Sequence, residues 1–496
     1  MNIPEDRISG IYKDKSVLVT GASGFLGKLL IEKILRCCPE VKMIYVLIRK
    51  KKGMAAPERL KSIFANPVFD MLRKENPEAF RKCATVTGDV SEVDLGISTY
   101  YRKLLSEEVD YIFHCAATTR FDDPLKVSVQ INARGTHYML QLAKQCQKLK
   151  LFVHVSTAFA HYREEIVEEK IYEFPTNPLN LLDSLDWTDE EALQRIAADL
   201  FPDLPNSYTF SKMFAEALVA KEINNLPIVI TRPVVVGNVC YEPYPGWANS
   251  LVGPIGLFVA AGKGILRICY MNKDTSCRMF PADITINGMM VKAWDFLENK
   301  GHNVANLYIR DEEFRVTWED VIETGKKIVR EKAPFNVMLW YPDGSITANK
   351  FYYLINFYLF HLLPAIFVDI LLVLMGYKPA LFKAQRTIQK AGEMFKFYTF
   401  KEWNFQADAI ANCKPIMNET ERKVYRIDSE GYDMETHLLN SLRAVKKIQL
   451  KENEKYEGTM LKVLKGWYYV DRLCKLLFLY FLGLYCYKLF CYIMKV

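Results

Sequence analysis

A tyrosine followed four residues later by a lysine is the residue pair with the clearest chemical meaning in this chain. The pair is Tyr208 and Lys212, in the run Asn206-Ser-Tyr-Thr-Phe-Ser-Lys-Met-Phe-Ala-Glu216. A spacing of four places both side chains on one face of a helix, where the ammonium group can lower the pKa of the phenol and make it a usable proton donor. Many helices carry such a pair by chance, so the pair predicts catalysis only if a second site accompanies it.

A glycine-rich turn near the start of the chain provides that second site. The apolar run 16–20 predicts a buried parallel strand, and residues 25–35 have the periodicity of a helix. Glycines between a strand and a helix permit a tight turn and a close approach of the backbone to a pyrophosphate, which the helix N-terminus attracts. The alternative is a turn that binds nothing. The predicted dinucleotide-binding residues are Gly21, Ser23, Gly24, Phe25, Leu26 and Gly27.

The end of the second predicted strand indicates which nicotinamide cofactor binds. Residues 43–48 are apolar and lead into Arg49-Lys-Lys-Lys52, where an NAD-binding chain would present an acidic residue to the ribose 2′-hydroxyl. Cations at this place fit a 2′-phosphate, which favours NADPH. Arg49 is the predicted phosphate ligand and Lys50 its neighbour, with a solvated loop as the alternative for some of these lysines.

Two further predicted strands extend the sheet. Asp89 ends the run that begins at Cys83 and is expected near the adenine, and Ala116 follows another strand, where its small side chain lets a dinucleotide lie flat. His114 and Cys115 have the spacing of strand residues and are interpreted as part of the core.

Two more candidates follow along the chain. Asn132 opens a predicted helical stretch, where it either caps the helix or supports the active-site lysine. The apolar run 151–155 predicts a strand that delivers Ser156 and Thr157 at its end. A hydroxyl at that place can hydrogen-bond a substrate carbonyl beside the tyrosine.

These residues, in this order, resemble the extended short-chain dehydrogenases. The 50 residues between Thr157 and Tyr208 exceed what that superfamily usually needs, and this insert resembles the fatty acyl-CoA reductases, particularly their animal and insect branch. The resemblance covers residues 10 to 450. The passages that carry it are Val153–Phe159, Ile230–Pro233, Gly246–Asn249, Gly253–Gly256, Pro281–Asp283, His361–Ala365, Asp369, Gly376–Pro379 and Trp403–Phe405.

Two passages depart from the pattern of that family. After Tyr425-Arg-Ile-Asp428 the usual tryptophan is absent, and Asn440-Ser-Leu-Arg443 lacks the expected glycine. The details of the C-terminal domain and the preferred chain length of the substrate therefore stay open.

The resemblance implies a fold, a reaction and residue roles. The fold is α/β, a Rossmann-type doubly wound parallel sheet with a C-terminal helical domain and membrane-associated apolar helices. The reaction is NADPH-dependent reduction of a long-chain acyl-CoA to a primary alcohol, with release of CoA and a bound aldehyde as intermediate. Tyr208 would donate the proton, Lys212 would hold the cofactor ribose and tune Tyr208, and Thr157, in preference to Ser156, would orient the carbonyl.

Two alternative functions remain open. One is an NADPH-dependent reductase of another lipophilic carbonyl, such as a sterol, which would turn over without releasing CoA. The other is a membrane protein that binds NADPH without catalysis.

Length and composition agree with an enzyme of several domains. A chain of 496 residues, half of them hydrophobic, suggests two or three domains with sizeable cores. The net charge of +7 suits a membrane surface or the phosphates of CoA and gives no concentrated nucleic-acid footprint. Twelve cysteines without a Cys-x-x-Cys pair indicate neither a metal site nor a disulfide framework.

Two apolar tracts predict contact with a lipid bilayer. Residues 476–494 are interrupted only by Lys488 and resemble a tail anchor, with an amphipathic or core helix as the alternative. Residues 351–375 are long enough to span but contain four polar or helix-breaking residues, so they are interpreted as an interfacial or substrate-channel helix pair, with a true span as the alternative. The interrupting residues are Asn356, His361, Pro364 and Asp369.

The predicted organisation has three parts. Residues 14–340 form the NADPH-binding catalytic domain, residues 350–450 a helical domain and residues 471–496 a membrane anchor. The first seven residues have no apolar core and are no signal peptide. We therefore expect a membrane-anchored protein with a cytosol-facing catalytic domain, at the endoplasmic reticulum in preference to the peroxisome; the oligomeric state stays open.

Overall fold

The computed structural model describes residues 5–50, 53–251, 253–310 and 315–494, so Lys51 and Lys52 of the basic run lie outside the described residues. The chain divides into two compact units. The first comprises Met1–Asn249, Arg278–Arg315 and Trp403–Tyr432, and the second comprises Ser250–Cys277, Val316–Glu402 and Asp433–Val496. The three domain ranges that the sequence indicates stay a prediction.

A parallel sheet forms the centre of the first unit. Within the described residues it has seven strands, in the order β7-β6-β5-β4-β1-β2-β3. The chain thus begins in the middle of the sheet, builds one side and then crosses to the other, which is the doubly wound α/β topology that the sequence predicts. The strands are β1 Ser16–Thr20, β2 Met43–Ile48, β3 Cys83–Thr87, β4 Tyr111–His114, β5 Leu151–Val155, β6 Ile228–Pro233 and β7 Val304–Leu307.

The central strands are buried along their whole length because helices cover the sheet. All residues of β1, β4 and β5 are buried. Two helix groups flank the sheet: Phe25–Cys37, called here the dinucleotide helix, packs against Ala282–Asn299, and Ser207–Glu222, called the tyrosine helix, packs against Leu125–Val129 and Gly135–Gln145. The other α-helices of this unit are Arg7–Gly10, Ala56–Phe64, Asp70–Glu75, Thr99–Glu108, Pro178–Ser184, Glu190–Leu200, Asp408–Ala411 and Glu419–Val424.

Short parallel strand pairs tie distant segments of the first unit together. Ile166–Val167 pairs with Asn404–Phe405, and Val235–Gly237 pairs with Met279–Pro281. In each pair, a segment that follows β5 or β6 meets a segment from later in the chain.

The second unit is mostly helical. Its short strands Ile268–Tyr270 and Ser345–Thr347 pair in parallel. Its α-helices are Pro254–Gly262, Trp318–Glu331, Lys350–Phe357, Leu363–Leu374, Leu381–Phe400, Met434–Ile448 and Glu457–Ile493.

Two helical segments of the second unit are long and apolar enough to cross a membrane, among the residues that the structure describes. The most apolar 18-residue stretch of Lys350–Leu374 has a mean hydropathy of 2.3, and that of Glu454–Ile493 has a mean hydropathy of 1.7. The first segment includes a π-helical turn at Tyr358–Leu362. These segments correspond to the two apolar tracts of the sequence and suggest association with a membrane.

Candidate active site

The glycine turn after β1 is shaped for the close approach of a ligand. Gly21 has a φ of +73°, and a Cβ added there would lie 2.7 Å from the backbone nitrogen of Ala116. A Cβ on Gly27 would lie 2.4 Å from the carbonyl oxygen of Gly21, and the Gly24 N–H donates to that same oxygen at 2.8 Å. Side chains at Gly21 and Gly27 would therefore disrupt the turn, so these residues fit the dinucleotide role that the sequence predicts.

The dinucleotide helix presents its N-terminus at this turn. It begins after Gly24, and no side chain caps it among the described residues, so its first N–H groups can face an anion. Ser23 is exposed and Leu26 is half-buried in the same turn. The ring of Phe25 lies 5.2 Å from that of Trp247, which fixes the start of the helix.

Two arginines meet beyond the end of β2. Arg49 is largely exposed, and its guanidinium lies 3.9 Å from the carboxylate of Asp89 at the end of β3. Arg59 donates to the carbonyl oxygen of Arg49 at 2.6 Å and approaches the hydroxyl of Ser23 at 3.5 Å. The glycine turn and the ends of β2 and β3 thus surround one basic corner, with Lys50 exposed beside it.

Arg59 is a candidate that the sequence did not reveal. Partial burial lowers its pKa, and the cation of Arg49 lowers it further. Two neighbouring guanidinium groups repel each other, and a phosphate placed between them removes that repulsion. The only signal in the sequence is a basic residue ten positions after Arg49, early in a helix, and such residues are common on helix surfaces.

The floor of the site is a buried chain of hydrogen bonds. The Ala116 N–H donates to the hydroxyl of Thr20 at 3.1 Å, and this hydroxyl lies 2.8 Å from Nδ1 of His114. The other ring nitrogen of His114 lies 3.0 Å from the hydroxyl of Thr136. Burial, and then the cation of Lys212, lower the pKa of His114 to about 3, so the imidazole is neutral and holds the end of β4 in place.

Asn132 lies inside a helical segment and not at its start. The segment runs from Leu125 to Gln145, with Asn132 in a π-helical turn, so the residue does not cap the helix. Its amide accepts from the Thr118 N–H at 2.8 Å and donates to the hydroxyl of Ser211 at 2.9 Å. Asn132 therefore reaches the tyrosine helix beside the catalytic lysine candidate, and its support of that lysine stays a prediction.

Lys212 is buried at the carboxyl end of β5. Its ammonium group donates to the carbonyl oxygen of Val155 at 2.7 Å. Burial lowers the pKa of Lys212 to about 8, although Cys115 and Glu216 oppose this shift. The buried ammonium is thus positioned at the same sheet edge as the glycine turn, because β4 lies between β1 and β5.

Tyr208 stands one helical turn before Lys212. The tyrosine helix begins after Asn206, whose side chain caps it by accepting from the Thr209 N–H at 2.9 Å. Tyr208 is half-buried, and its ring lies 5.5 Å from that of Phe121. The first turn of the helix therefore holds the phenol in the region where β4 and β5 end.

A buried carboxylate, Glu216, continues the same helical face. It accepts a hydrogen bond from the Ser156 hydroxyl at 2.6 Å, forms an ion pair with Arg232 and lies 2.7 Å from a ring nitrogen of His161. Burial alone would raise the pKa of Glu216, but the Arg232 guanidinium and the contact with His161 hold it well below its usual range. Glu216 is the last residue of the run 206–216 that contains Tyr208 and Lys212. Its spacing of four from Lys212 places it on the same helix face, and this is the signal by which the sequence could have revealed it.

Thr157 follows Ser156 and has weaker hydrogen bonds. Its hydroxyl lies 3.4 Å from the carbonyl oxygen of Pro233 and accepts from the Phe159 N–H at 3.4 Å. The ring of Phe159 packs edge-on against Trp403 and Phe405, at centroid distances of 4.8 and 5.6 Å. A returning segment of the first unit thus fixes the loop that carries Thr157.

A second carboxylate, Asp283, fixes a loop against the dinucleotide helix. It accepts backbone N–H groups of Cys240, Tyr241 and Glu242 at 2.8, 2.7 and 3.3 Å. Glu242 in turn forms an ion pair with Lys33 of that helix. The passages that carry the family resemblance therefore include residues that hold the site together.

The predicted residues thus form two groups at one edge of the sheet. The glycine turn, Asp89 and Ala116 line the ends of β1, β3 and β4, while Ser156, Thr157 and Lys212 gather at the end of β5. In a doubly wound sheet the ligand crevice lies where the strand order reverses, here between β1 and β4. The arrangement suits a dinucleotide whose reactive end reaches a proton donor and a hydroxyl. Among the described residues, no cluster of His, Cys, Asp and Glu could hold a metal ion.

Comparisons with known proteins bear on the family and the fold. A family model for an NAD-binding domain, described as "Male sterility protein", matches residues 19–289, more than half of the chain, and a second model with the same description matches residues 360–452. The solved reductase domain of a non-ribosomal peptide synthetase from Mycobacterium tuberculosis has a TM-score of 0.60 at 16% identity, covering 90% of this chain and 97% of that domain. At that identity the likeness concerns the fold alone.

The sequence relatives identify the family. "Fatty acyl-CoA reductase wat" of Drosophila melanogaster is 35% identical over 431 residues, which cover 86% of this chain and 83% of the relative. "Fatty acyl-CoA reductase 1" of Homo sapiens is 32% identical over 452 residues, which cover 91% of this chain and 87% of the relative. The resemblance noted in the sequence is therefore confirmed, and this chain belongs to the fatty acyl-CoA reductase family of nicotinamide-dependent oxidoreductases.

Proposed function

We propose that this protein reduces a long-chain acyl-CoA to a primary alcohol, with NADPH as the reductant and with release of CoA. The names of its relatives support an acyl-CoA substrate. The observation that carries the proposal is the buried Lys212, which holds its ammonium group at the end of β5, one turn after Tyr208 and beside the loop of Thr157.

The proposed chemistry uses the same residues twice. Bound NADPH supplies a hydride to the carbonyl carbon in each round. In the first round Thr157 donates a hydrogen bond to the thioester oxygen, and Tyr208 protonates this oxygen to give a hemithioacetal. The carbon–sulfur bond then breaks, CoA leaves as the thiol with the hemithioacetal proton, and an aldehyde remains. In the second round Tyr208 protonates the aldehyde oxygen to give the alcohol, so two protons and two hydrides are consumed in total.

Lys212 has two tasks in this proposal. Its cation stabilises the tyrosinate that remains after each proton transfer, and it holds the ribose of the cofactor. Because burial brings its pKa down to about 8, the ammonium form still predominates at neutral pH.

The basic corner supports NADPH in preference to NADH. Arg49 and Arg59 lie close together where β2 ends, at the place where an NAD enzyme carries an acidic residue. A 2′-phosphate there would accept charge-assisted hydrogen bonds from both guanidinium groups and would offset their mutual repulsion.

We further propose that the long helix ending at Ile493 anchors the protein in a membrane with the catalytic unit in the cytosol. Its apolar residues after Leu473 are mostly exposed, as expected of a helix that lipid surrounds. We favour the endoplasmic reticulum over the peroxisome.

Product identification tests the proposed reaction. Microsomes that contain the protein are incubated with NADPH or NADH and a panel of acyl-CoA thioesters, and alcohol, aldehyde and free thiol are measured, with the Tyr208→Phe variant as the control. Alcohol and thiol in equal amounts are expected with NADPH. Oxidation of NADPH on a sterol-like ketone without thiol release would support another carbonyl substrate, and cofactor binding without any turnover would indicate a non-catalytic protein.

A further inference from the structure

The apolar segment 350–374 is one arm of a hairpin, called here the apolar hairpin, and Leu381–Phe400 is its returning arm. Both ends of the hairpin meet at Tyr270. The ring of Tyr270 lies 5.5 Å from that of Tyr353 and 4.7 Å from that of Phe400. The chain therefore enters and leaves the hairpin at the same place, which excludes a membrane crossing by the first arm alone.

Two polar residues of the first arm, His361 and Asp369, face the returning arm. Nδ1 of His361 lies 3.2 Å from the amide oxygen of Gln385. The carboxylate of Asp369 accepts the N–H groups of Ala380, Leu381 and Phe382 at 2.9, 2.9 and 2.8 Å. Asp369 thus satisfies the N-terminus of the returning helix, and it is 7% exposed. These residues would oppose insertion into lipid only if they faced it, and they do not.

The outer surface of the helix Leu363–Leu374 is almost entirely apolar. Its buried residues are Ala365 and Asp369 alone. Around the other sides of this helix and its turn, large apolar side chains are more than half exposed. They include Leu363, Phe367, Ile370, Val373, Leu374 and Met375. Soluble proteins rarely expose a continuous apolar surface of this kind unless a partner or a membrane covers it.

The returning arm carries an exposed basic stripe. Lys383, Arg386 and Lys390 are exposed and are spaced by three and four residues, so they share one helix face. Lys378 is exposed in the turn that joins the arms. An apolar helix beside a row of cations matches the boundary between acyl chains and anionic headgroups.

We propose that the apolar hairpin inserts into one leaflet of an anionic bilayer and does not cross it. The first arm, residues 350–374, is about 38 Å long, which is enough for a hydrocarbon core of about 30 Å. Because the chain leaves the hairpin where it enters, a crossing would carry the helix Leu363–Leu374 and the returning arm, with its exposed cations, into that core together, which disfavours it. Lys378 and Lys383 hold the turn at the level of the headgroups, so the helix lies along the interface with its apolar sides among the acyl chains.

A contact with the C-terminal helix places both apolar elements at the same membrane surface. The ring of Phe360, in the first arm, lies 5.1 Å from that of Phe478. Phe478 stands at the beginning of the exposed apolar part of Glu457–Ile493. If that helix enters a bilayer near Phe478, the middle of the hairpin lies at the bilayer surface.

Photo-crosslinking to lipid tests the insertion. The full chain carries p-benzoylphenylalanine in place of Phe367 or Leu374 and is reconstituted in phosphatidylcholine vesicles with phosphatidylserine and a tritiated phospholipid. Both positions should label lipid, as should Leu477 in the C-terminal helix, whereas Trp187, 79% exposed in the first unit, should not. Labelling at Leu477 without labelling at Phe367 and Leu374, or capture of a protein at these two positions, would overturn the proposal.

The same photo-crosslinking measurement tests whether insertion requires the exposed cations of the returning arm. Lys383→Glu, Arg386→Glu and Lys390→Glu together should reduce lipid labelling at Phe367 at least threefold. Reversal of three exposed lysines of the first unit, Lys61, Lys74 and Lys103, is the matched control and should leave it unchanged. Equal effects of the two triple variants would show that insertion does not require anionic lipid, contrary to the proposal.

Glycosylation in microsomes distinguishes insertion from crossing. An acceptor site on a flexible linker inserted after Gly376 should stay unmodified, while the same acceptor appended to the C-terminus reports whether the last helix crosses. Modification at the turn would show that the hairpin crosses the membrane. The Tyr208→Phe variant should give the same labelling and glycosylation, so this proposal stands or falls independently of the proposed reaction.

Discussion

Ser156 donates its hydroxyl to a carboxylate oxygen of Glu216 at 2.6 Å, and both side chains are buried. Arg232 and His161 contact the same carboxylate, and its pKa is held well below the usual range. An ionised carboxylate keeps the Ser156 proton, because charge-assisted hydrogen bonds are stronger than those to a neutral carbonyl. The hydroxyl of Thr157, by contrast, has contacts of 3.4 Å among the described residues and can turn to a substrate.

This difference predicts unequal effects of two substitutions. Thr157→Ala should lower kcat for alcohol formation about 10²- to 10³-fold, because it removes a donor to the developing oxyanion. Ser156→Ala should mainly lower the free energy of unfolding, by about 1–3 kcal/mol, because it leaves a buried acceptor without one donor. Thermal unfolding and kcat are measured for both variants below their melting temperatures. A larger loss of kcat in Ser156→Ala than in Thr157→Ala would reverse the two roles.

Tyr208→Phe should abolish most alcohol formation while NADPH still binds. A single general acid contributes about 10²- to 10⁴-fold to the rate, and the phenyl ring keeps the contact with Phe121. Single-turnover rates and NADPH titration give the two quantities. Activity within tenfold of the wild type would mean that another group donates the proton.

Alcohol formation should decline as the pH rises through about 8. Burial lowers the pKa of Lys212 to about 8, so above that pH the ammonium that stabilises the tyrosinate is lost. The pH profile of kcat measures this, and Lys212→Met should lack the inflection near pH 8. An unchanged inflection in that variant would assign the titration to another group.

The lowered pKa of Lys212 affects stability in the opposite direction from activity. Between about pH 8 and the ordinary lysine value of 10.5, the unfolded chain binds the proton that folded Lys212 has released. The contribution of Lys212 to the free energy of unfolding should therefore rise with pH in this window. Denaturant titrations of the wild type and of Lys212→Met at several pH values would show the difference.

Arg49→Glu and Arg59→Glu should each weaken NADPH strongly and NADH little. The loss of a charge-assisted bond to a phosphate costs about 1.5–3 kcal/mol, and NADH lacks the 2′-phosphate. Dissociation constants for both cofactors measure the effect. Lys61→Glu, which changes an exposed residue on the same helix as Arg59, is the matched control. Equal losses for NADPH and NADH would place the 2′-phosphate elsewhere.

Removal of residues 476–496 should make the protein extractable from membranes by alkaline carbonate. The deletion keeps Asp471, which accepts from the indole N–H of Trp340 at 2.7 Å, so the second unit retains this bond. The apolar hairpin alone should hold the bilayer weakly, and reduction that depends on Tyr208 should persist in detergent. A protein that stays in the carbonate pellet would show that residues 351–375 anchor it as an integral segment.

Residues close together in the sequence were the most predictable. The strand, the glycines and the helix after β1 follow from local spacing, and the same is true of Tyr208 and Lys212. The partners of Glu216 come from two different strand ends, β5 and β6, so no local pattern could reveal them. The π-helical turn at Asn132 was hidden for the same reason, since the departure from α-helix depends on contacts with other elements.

The apolar tract of residues 351–375 shows the same limit of prediction from local sequence. In the sequence, Asp369 counts against burial in lipid, at about 2.5 to 3.5 kcal/mol for a charge at the bilayer centre. In the fold its oxygens accept three backbone N–H groups of the returning arm. Counting the polar residues within the tract cannot reveal these hydrogen bonds, because the N–H donors belong to a helix that comes later in the chain.

The return of residues 403–432 to the first unit affects how the protein is made. In that segment, Glu421 accepts hydrogen bonds from the guanidinium group of Arg7 at 2.9 and 2.7 Å. Ribosomes add about 5–20 residues per second, so Arg7 waits for its partner for roughly 20 to 80 seconds. A shortened chain that ends after residue 340 would never receive it. During synthesis, Arg7 and the ring of Phe159 therefore stay uncovered until this segment emerges, although the strands of the sheet are already made, and expression should depend on chaperones that hold unfinished chains.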